Sequence, residues 1–236
     1  MKLIRVLSAA LIVGVFLFSM VSPSAADKST EVGYIKDGIY HDARFGFSLK
    51  IPVEWREAKL RKEPTPERLL LVQKKPKVPL RLQNSPESAV RPSVMIFADS
   101  TAMSPQAFLA FLRADTGKTE FKSRILSKSI LMDQGTPSEI QIMQKTTAKI
   151  LGQEAVNVRA RLEYTVRVES SREAAEDPRK SVMIQVNDFR AGYIYIVPFS
   201  GWLMYIEQAC ENQFLESLQP DFDTMINSLT LEGAGK

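Results

Sequence analysis

Histidine and cysteine are scarce in this chain, since its 236 residues include one of each, His41 and Cys210. A multi-histidine metal centre therefore lacks its ligands, and no motif around His41 indicates a catalytic triad or a cysteine–histidine pair. The sequence also has no GxGxxG motif, no phosphate-binding loop and no CxxC pair. These absences predict a protein that is not an enzyme and that carries no cofactor.

The lone cysteine excludes an intramolecular disulfide, so a packed core must hold the folded chain together. Cys210 is expected to be a small buried side chain at the end of a strand. A reactive or dimer-forming thiol at this position is the alternative.

The chain also lacks a strong excess of one charge. Its formal charge is +4, and Lys2 and Arg5 account for half of it, which leaves +2 on residues 27–236. A net charge this small gives no support to nucleic-acid binding.

The clearest feature that is present is the pattern of a secretory signal peptide over residues 1–26. Two basic residues precede an apolar run at 11–18, which is too short for a typical membrane-spanning helix. Small side chains lead up to Ala26, where cleavage is expected, and no cysteine follows the apolar run to carry a lipid. Residues 27–236 would then form one domain outside the cytoplasm, periplasmic or secreted. An uncleaved amino-terminal anchor is the alternative.

Residues 34–51 predict a β-hairpin. A first strand is expected over 34–40, a turn over 41–44 and a second strand over 45–51 with one buried face, ended by Pro52. Trp55 is expected at the edge of the core. The buried face of the second strand carries Phe45, Phe47, Leu49 and Ile51.

His41 and Asp42 are the candidate metal ligands in the predicted turn. Two ligands could form only a weak divalent-cation site, and a turn is an ordinary location for both residue types. No metal site is therefore predicted.

A basic, proline-rich excursion occupies residues 59–92. Nine basic residues face three glutamates there, around one short strand expected at 69–72. This exposed segment could contact an acidic partner or anionic lipid head groups, or it could be a solvated loop with no partner. The candidate partner-binding residues are Lys74, Lys75, Lys77 and Arg81.

The rest of the chain predicts strands and two helices. Ser104 and Pro105 form a helix start, followed by an apolar stripe at 108–112, and a second helix is expected to open at Pro220. The order of these elements predicts an α+β fold, a largely antiparallel sheet covered by helices. Strands are expected at 93–98, 125–132, 139–150, 155–168, 182–186, 193–197 and 202–206.

Three segments resemble PsbP-like proteins, a family named for an extrinsic subunit of photosystem II. They are the run from Phe45 to Pro52 followed by Trp55, the turn at 151–155 that enters a long strand, and the closing 222–229. The resemblance spans nearly all of residues 27–236. It implies an α/β/α sandwich with exported or lumenal members that act as binding or assembly factors, and it carries over no functional residue.

The sequence therefore predicts an exported, non-enzymatic binding or assembly factor. Its partner would be an unknown envelope protein or an anionic surface, with peripheral membrane contact through the basic segment as a further alternative. A hydrolase that uses carboxylates in a pocket is the alternative from another class.

Overall fold

The computed structural model describes residues 33–58, 65–83, 89–132, 141–169 and 183–232. The expected signal peptide, residues 1–26, lies outside them. Within the described part, no helix has the length and apolar character to span a membrane.

The amino-terminal residues form a small antiparallel sheet. Asp37 and Gly38 both have positive φ, of 52° and 75°, and they form the turn between its first two strands. The expected first strand over 34–40 is therefore wrong as a single element, because this turn splits it in two. The strands are β1 (Gly33–Lys36), β2 (Ile39–Asp42), β3 (Phe47–Lys50) and β11 (Thr230–Leu231), hydrogen-bonded in the order β1-β2-β3-β11.

A larger antiparallel sheet is the centre of the fold. Leu151 and Gly152, both with positive φ, make the tight turn that joins two of its long strands. Its strands are β4 (Trp55–Glu57), β5 (Glu67–Gln73), β6 (Ser93–Ser100), β7 (Gln141–Ile150), β8 (Gln153–Glu169), β9 (Met183–Phe199) and β10 (Trp202–Glu211). They are ordered β4-β5-β6-β10-β9-β8-β7.

Within the described residues, three α-helices lie on this sheet: α1 (Pro105–Arg113), α2 (Glu120–Leu126) and α3 (Leu215–Asn227). Phe108 and Leu112 of α1 and Phe121 of α2 pack on one face of the sheet, against Phe97 and its neighbours. On the other face, α3 and the small sheet share a second core, which includes Phe47, Met204 and Phe222. The predicted α+β fold, with helices on both faces of an antiparallel sheet, is confirmed.

The predicted strand over 125–132 is wrong. Its first residues belong to α2, which begins after Thr119, whose hydroxyl oxygen accepts a hydrogen bond from the Lys122 backbone N–H at 3.1 Å. Phe121 and Ile125 are buried at a spacing of four, which is the helical period.

The predicted start of the last helix at Pro220 is also wrong. The helix begins at Leu215, and Pro220 lies inside it. Leu215, Leu218 and Phe222 form one buried stripe, so burial of this face extends the helix past the proline.

Candidate functional site

The residues of the basic segment that follow β5 and precede β6 lie at one end of the large sheet. The register places Val72 beside Ser93, Ser93 beside Ala209 and Ala209 beside Gly192. The residues that follow β5, those that precede β6 and those that follow β10 therefore meet at the same end of the sheet. The helix α3 also begins there.

Lys74, Lys75 and Lys77, here called the lysine edge, are all exposed at this end. The Lys74 ammonium donates a hydrogen bond to the Val53 carbonyl oxygen at 2.5 Å. Within the described residues none of the three has a carboxylate within 4 Å. Within this part of the chain, their positive charges are therefore not engaged in ion pairs.

A small cavity of about 130 Å³ lies beside Lys77. Asp221 on its wall accepts a hydrogen bond from the indole Nε1 of the buried Trp55 at 2.8 Å. The cavity therefore contains one cation, Lys77, and one carboxylate, Asp221, which is bonded to the core residue Trp55. Its lining is Gln73, Lys77 and Pro92 together with Phe214, Ser217, Leu218 and Asp221.

Arg81, the fourth candidate, differs from the lysines because its charge is paired. Its Nε donates to Asp188 Oδ2 at 2.6 Å, and its Nη2 donates to Asp188 Oδ1. The hydrogen bond to Asp188, whose side chain is fully buried, raises the pKa of the guanidinium. Arg81 fastens the basic segment to β9.

Glu211, at the end of β10, makes a second attachment. Its buried carboxylate accepts hydrogen bonds from the Val90 backbone N–H at 2.7 Å and from the Tyr164 hydroxyl, at 2.7 Å to one oxygen and 2.8 Å to the other. Burial raises the pKa of Glu211 and of Tyr164. Two points of the basic segment, Arg81 and Val90, are thus held on the sheet by acids.

Arg68 departs from the exposed character expected of the basic segment. It lies in β5, an interior strand, and its side chain is fully buried. Its Nε donates to Asp42 Oδ2 at 2.7 Å, and Asp42 Oδ1 accepts from the Arg44 and Phe45 backbone N–H groups. This pair joins the two sheets, so these charges are structural.

The structure does not bring His41 and Asp42 together as ligands. They are neighbours in β2, so their side chains lie on opposite faces of the strand. Asp42 is bound to Arg68, whereas His41 stacks on Tyr34 and is paired with Glu232. Among the described residues, no group of three or more His, Cys, Asp or Glu could hold a metal ion.

Cys210 is buried at the end of β10, as expected of a small strand residue. Burial raises the pKa of its thiol to about 12. The thiolate that a reactive cysteine requires is therefore disfavoured.

The fold is thus a helix-flanked antiparallel sheet with a basic edge, and its likeness to known proteins is structural. No family model and no curated protein matches the sequence. Among solved structures it is similar to the cyanobacterial PsbP (CyanoP) of Synechocystis sp. PCC 6803, at 9% identity over 82% of this chain and 91% of that chain, with a TM-score of 0.45.

Two other solved structures are similar over comparable lengths. LpqN of Mycobacterium tuberculosis, described as involved in cell envelope biogenesis, is 12% identical over 79% of this chain and 83% of its own, with a TM-score of 0.42. A protein of Bacteroides thetaiotaomicron is 10% identical over 88% of this chain and 50% of its own, with a TM-score of 0.37.

Proposed function

We propose that this protein is exported and acts outside the cytoplasm as a non-enzymatic binding or assembly factor that holds an acidic protein through the lysine edge. The observation that carries the proposal is the exposure of Lys74, Lys75 and Lys77 without an acidic neighbour in the described residues. Export is inferred from the signal pattern over residues 1–26.

The attachment of the basic segment supports this use. Arg81 is bonded to Asp188 of β9, and Val90 is bonded to Glu211 of β10. The segment that carries the lysines is therefore attached to the large sheet. A charged surface on an ordered support loses less conformational entropy on binding than a free loop does. The lysine edge therefore has the order that a specific interface requires.

The cavity beside Lys77 gives the surface a second means of recognition. Phe214 and Leu218 supply apolar lining in the cavity that Lys77 also lines. An acidic segment could place one small apolar side chain there while its carboxylates face the lysines. Specific interfaces commonly combine such an anchor with surrounding charges that set specificity and association rate.

The carboxylate hydrolase is less well supported by the arrangement of acids. Glu207, Glu211 and Asp42 are buried and accept several hydrogen bonds each, which engages them in structure. The cavity beside Lys77 contains one carboxylate, Asp221, which is bonded to Trp55. A pair of carboxylates placed for acid and base catalysis is not assembled there.

The test is affinity capture from the native envelope with two variants of equal charge. The first carries Lys74→Gln, Lys75→Gln and Lys77→Gln. The control carries Lys128→Gln, Lys145→Gln and Lys149→Gln, which are exposed positions elsewhere. We expect the first variant to lose most of an acidic protein that the wild type and the control both recover.

Equal recovery by both variants would contradict the assignment of the lysine edge. A parallel sedimentation assay with vesicles containing anionic lipid separates the membrane alternative. One outcome is that the first variant loses salt-sensitive vesicle binding that the control keeps, while both variants recover the same proteins. That result would identify a lipid surface, and not an acidic protein, as the partner of the lysine edge.

A further inference from the structure

A second cavity, of about 270 Å³, opens on the face of the large sheet that α3 covers in part. It is lined by residues of β7, β8 and β9 and by Asn212, which directly follows β10. The lysine edge is not part of its lining. The residues that line it are Met143, Gln144, Arg159, Ala160, Arg161, Ala191 and Asn212.

Two arginines of β8 define the chemistry of this cavity. Arg159 and Arg161 are two positions apart in a strand, so their side chains lie on the same face. Arg159 is paired in register with Tyr193, and Arg161 with Ala191. Two guanidinium groups consequently share one concave surface.

Arg161 is held in place by its neighbours. Its Nε and Nη2 donate to Gln141 Oε1 at 3.3 and 3.1 Å, and its guanidinium lies 4.2 Å from the centre of the Phe189 ring. A guanidinium has five N–H donors, and these bonds engage two of them. Three donors of an ordered cation thus remain for another group.

Arg159 is exposed and has no carboxylate within 4 Å among the described residues. Glu163 occupies the next position on this face beyond Arg161, and it forms no ion pair with either arginine within the same part of the chain. Within the described residues, the two arginines of this cavity are therefore not engaged in an ion pair.

The remaining lining adds two neutral amide side chains and three apolar residues, of which Met143 is the largest. Gln144 and Asn212 carry amides, which can donate to an anion as the arginines do. The pairing of β7 with β8 shifts register between Ile142 and Gln144, so Met143 is the bulged residue. Bulges commonly redirect a side chain, and Met143 lines the cavity as an exposed thioether.

We propose that this cavity is a binding site for a small organic oxyanion, a carboxylate or a phosphate ester, independent of the protein partner proposed above. The guanidinium groups of Arg161 and Arg159 hold the oxyanion, because arginine donors match the geometry of carboxylate and phosphate oxygens. Gln144 and Asn212 complete the polar contacts, and Met143 covers the apolar part of the ligand.

The experiment is an NMR titration of the mature chain, residues 27–236, with inorganic phosphate and separately with citrate, at constant ionic strength. Saturable shifts of the Gln144, Asn212 and Arg159 amide signals are the expected result. Arg159→Gln should weaken the affinity about tenfold or more, as loss of a hydrogen bond to a charged group implies. Preference between the two probes distinguishes a phosphate site from a carboxylate site.

Lys149→Gln is the matched control, since it removes one positive charge from an exposed position of β7 outside the cavity. The wild-type shifts locate the site even if an arginine variant fails to fold. Absence of saturable shifts with both probes, shifts centred elsewhere, or equal weakening by Arg159→Gln and Lys149→Gln would overturn the proposal. The lysine-edge variant should bind the anion as the wild type does, so failure of one proposal leaves the other testable.

Discussion

Glu207 illustrates how single buried acids organise this molecule. Its carboxylate is fully buried and accepts hydrogen bonds from the Ser129 and Tyr205 hydroxyls and from the Ile130 and Leu131 backbone N–H groups, at 2.6 to 3.2 Å. The segment after α2 is thereby fixed to β10. The hydrogen-bond donors favour the ionised form of this carboxylate, whereas its burial disfavours that form.

Burial raises the pKa of Glu207 above its usual value, so the folded chain binds this proton more tightly than the unfolded chain. The stability contributed by Glu207 is therefore greatest below the ordinary glutamate pKa and is lost as the pH rises through the folded-state pKa. We expect the free energy of unfolding of the wild type, minus that of Glu207→Gln, to fall as the pH rises. Urea unfolding of both proteins, at pH values from below the ordinary glutamate pKa to above the folded-state pKa of Glu207, measures this difference. A difference that stays constant or increases would contradict the argument.

The Asp42–Arg68 pair supports a second prediction at this scale. Arg68→Met leaves the buried Asp42 carboxylate without its cation, and we expect a loss of about 3–5 kcal/mol in the free energy of unfolding. The double variant Asp42→Asn/Arg68→Met removes both charges, while the asparagine oxygen can still accept the Arg44 and Phe45 N–H groups. It should be more stable than the single variant by denaturant unfolding. A double variant of equal or lower stability would show that the pair is not the source of the effect.

The sequence carries part of the information on the buried acids Glu207 and Glu211. Glu207 and Glu211 interrupt an apolar strand and are four residues apart, so both must face the same side of the sheet. Their partners are far away in sequence, at Ser129 for Glu207 and at Tyr164 for Glu211, and periodicity carries no information on such pairs. The lysine edge, in contrast, was predicted because local charge density is a property of the sequence itself.

At the scale of elements, the accuracy of the sequence prediction follows the strength of the local signals. The helix α1 was predicted from Ser104 and Pro105, and it begins at Pro105. The last two residues of α2 were assigned to the predicted strand over 125–132, because the seven residues of this helix are too few to display a clear helical period. Pro220 was read as a helix start because proline favours the first turn, but packing of Leu215 and Leu218 on the core outweighs this preference.

The start of α1 can be tested through its cap. The Ser104 hydroxyl oxygen accepts a hydrogen bond from the Ala107 backbone N–H at 3.2 Å. Ser104→Ala should lower the free energy of unfolding by about 1 kcal/mol, because this N–H loses its partner. Ser123→Ala, at an exposed position within α2, should leave stability unchanged or raise it slightly, since alanine is the better helix former. Equal effects of the two substitutions in denaturant unfolding would contradict the capping role.

At the scale of the whole molecule, the two proposed binding surfaces lie on different parts of the large sheet. The seven-stranded sheet brings the lysine edge and the arginine cavity to the same end, the first beside α3 and the second over β7, β8 and β9. The α+β class could be predicted from the order of elements and from the hairpin-length connections. The arginine cavity could not, because it depends on the register of β8 with β7 and β9.

The central claim is that the lysine edge contacts an acidic protein partner, and photocrosslinking in the native envelope tests it most directly. A photocrosslinking amino acid replaces Lys77 in one protein and Lys149, on a different part of the surface, in another. We expect irradiation to join an acidic envelope protein to the chain through position 77 and not through position 149. No adduct at position 77, or the same adducts from both positions, would contradict the claim.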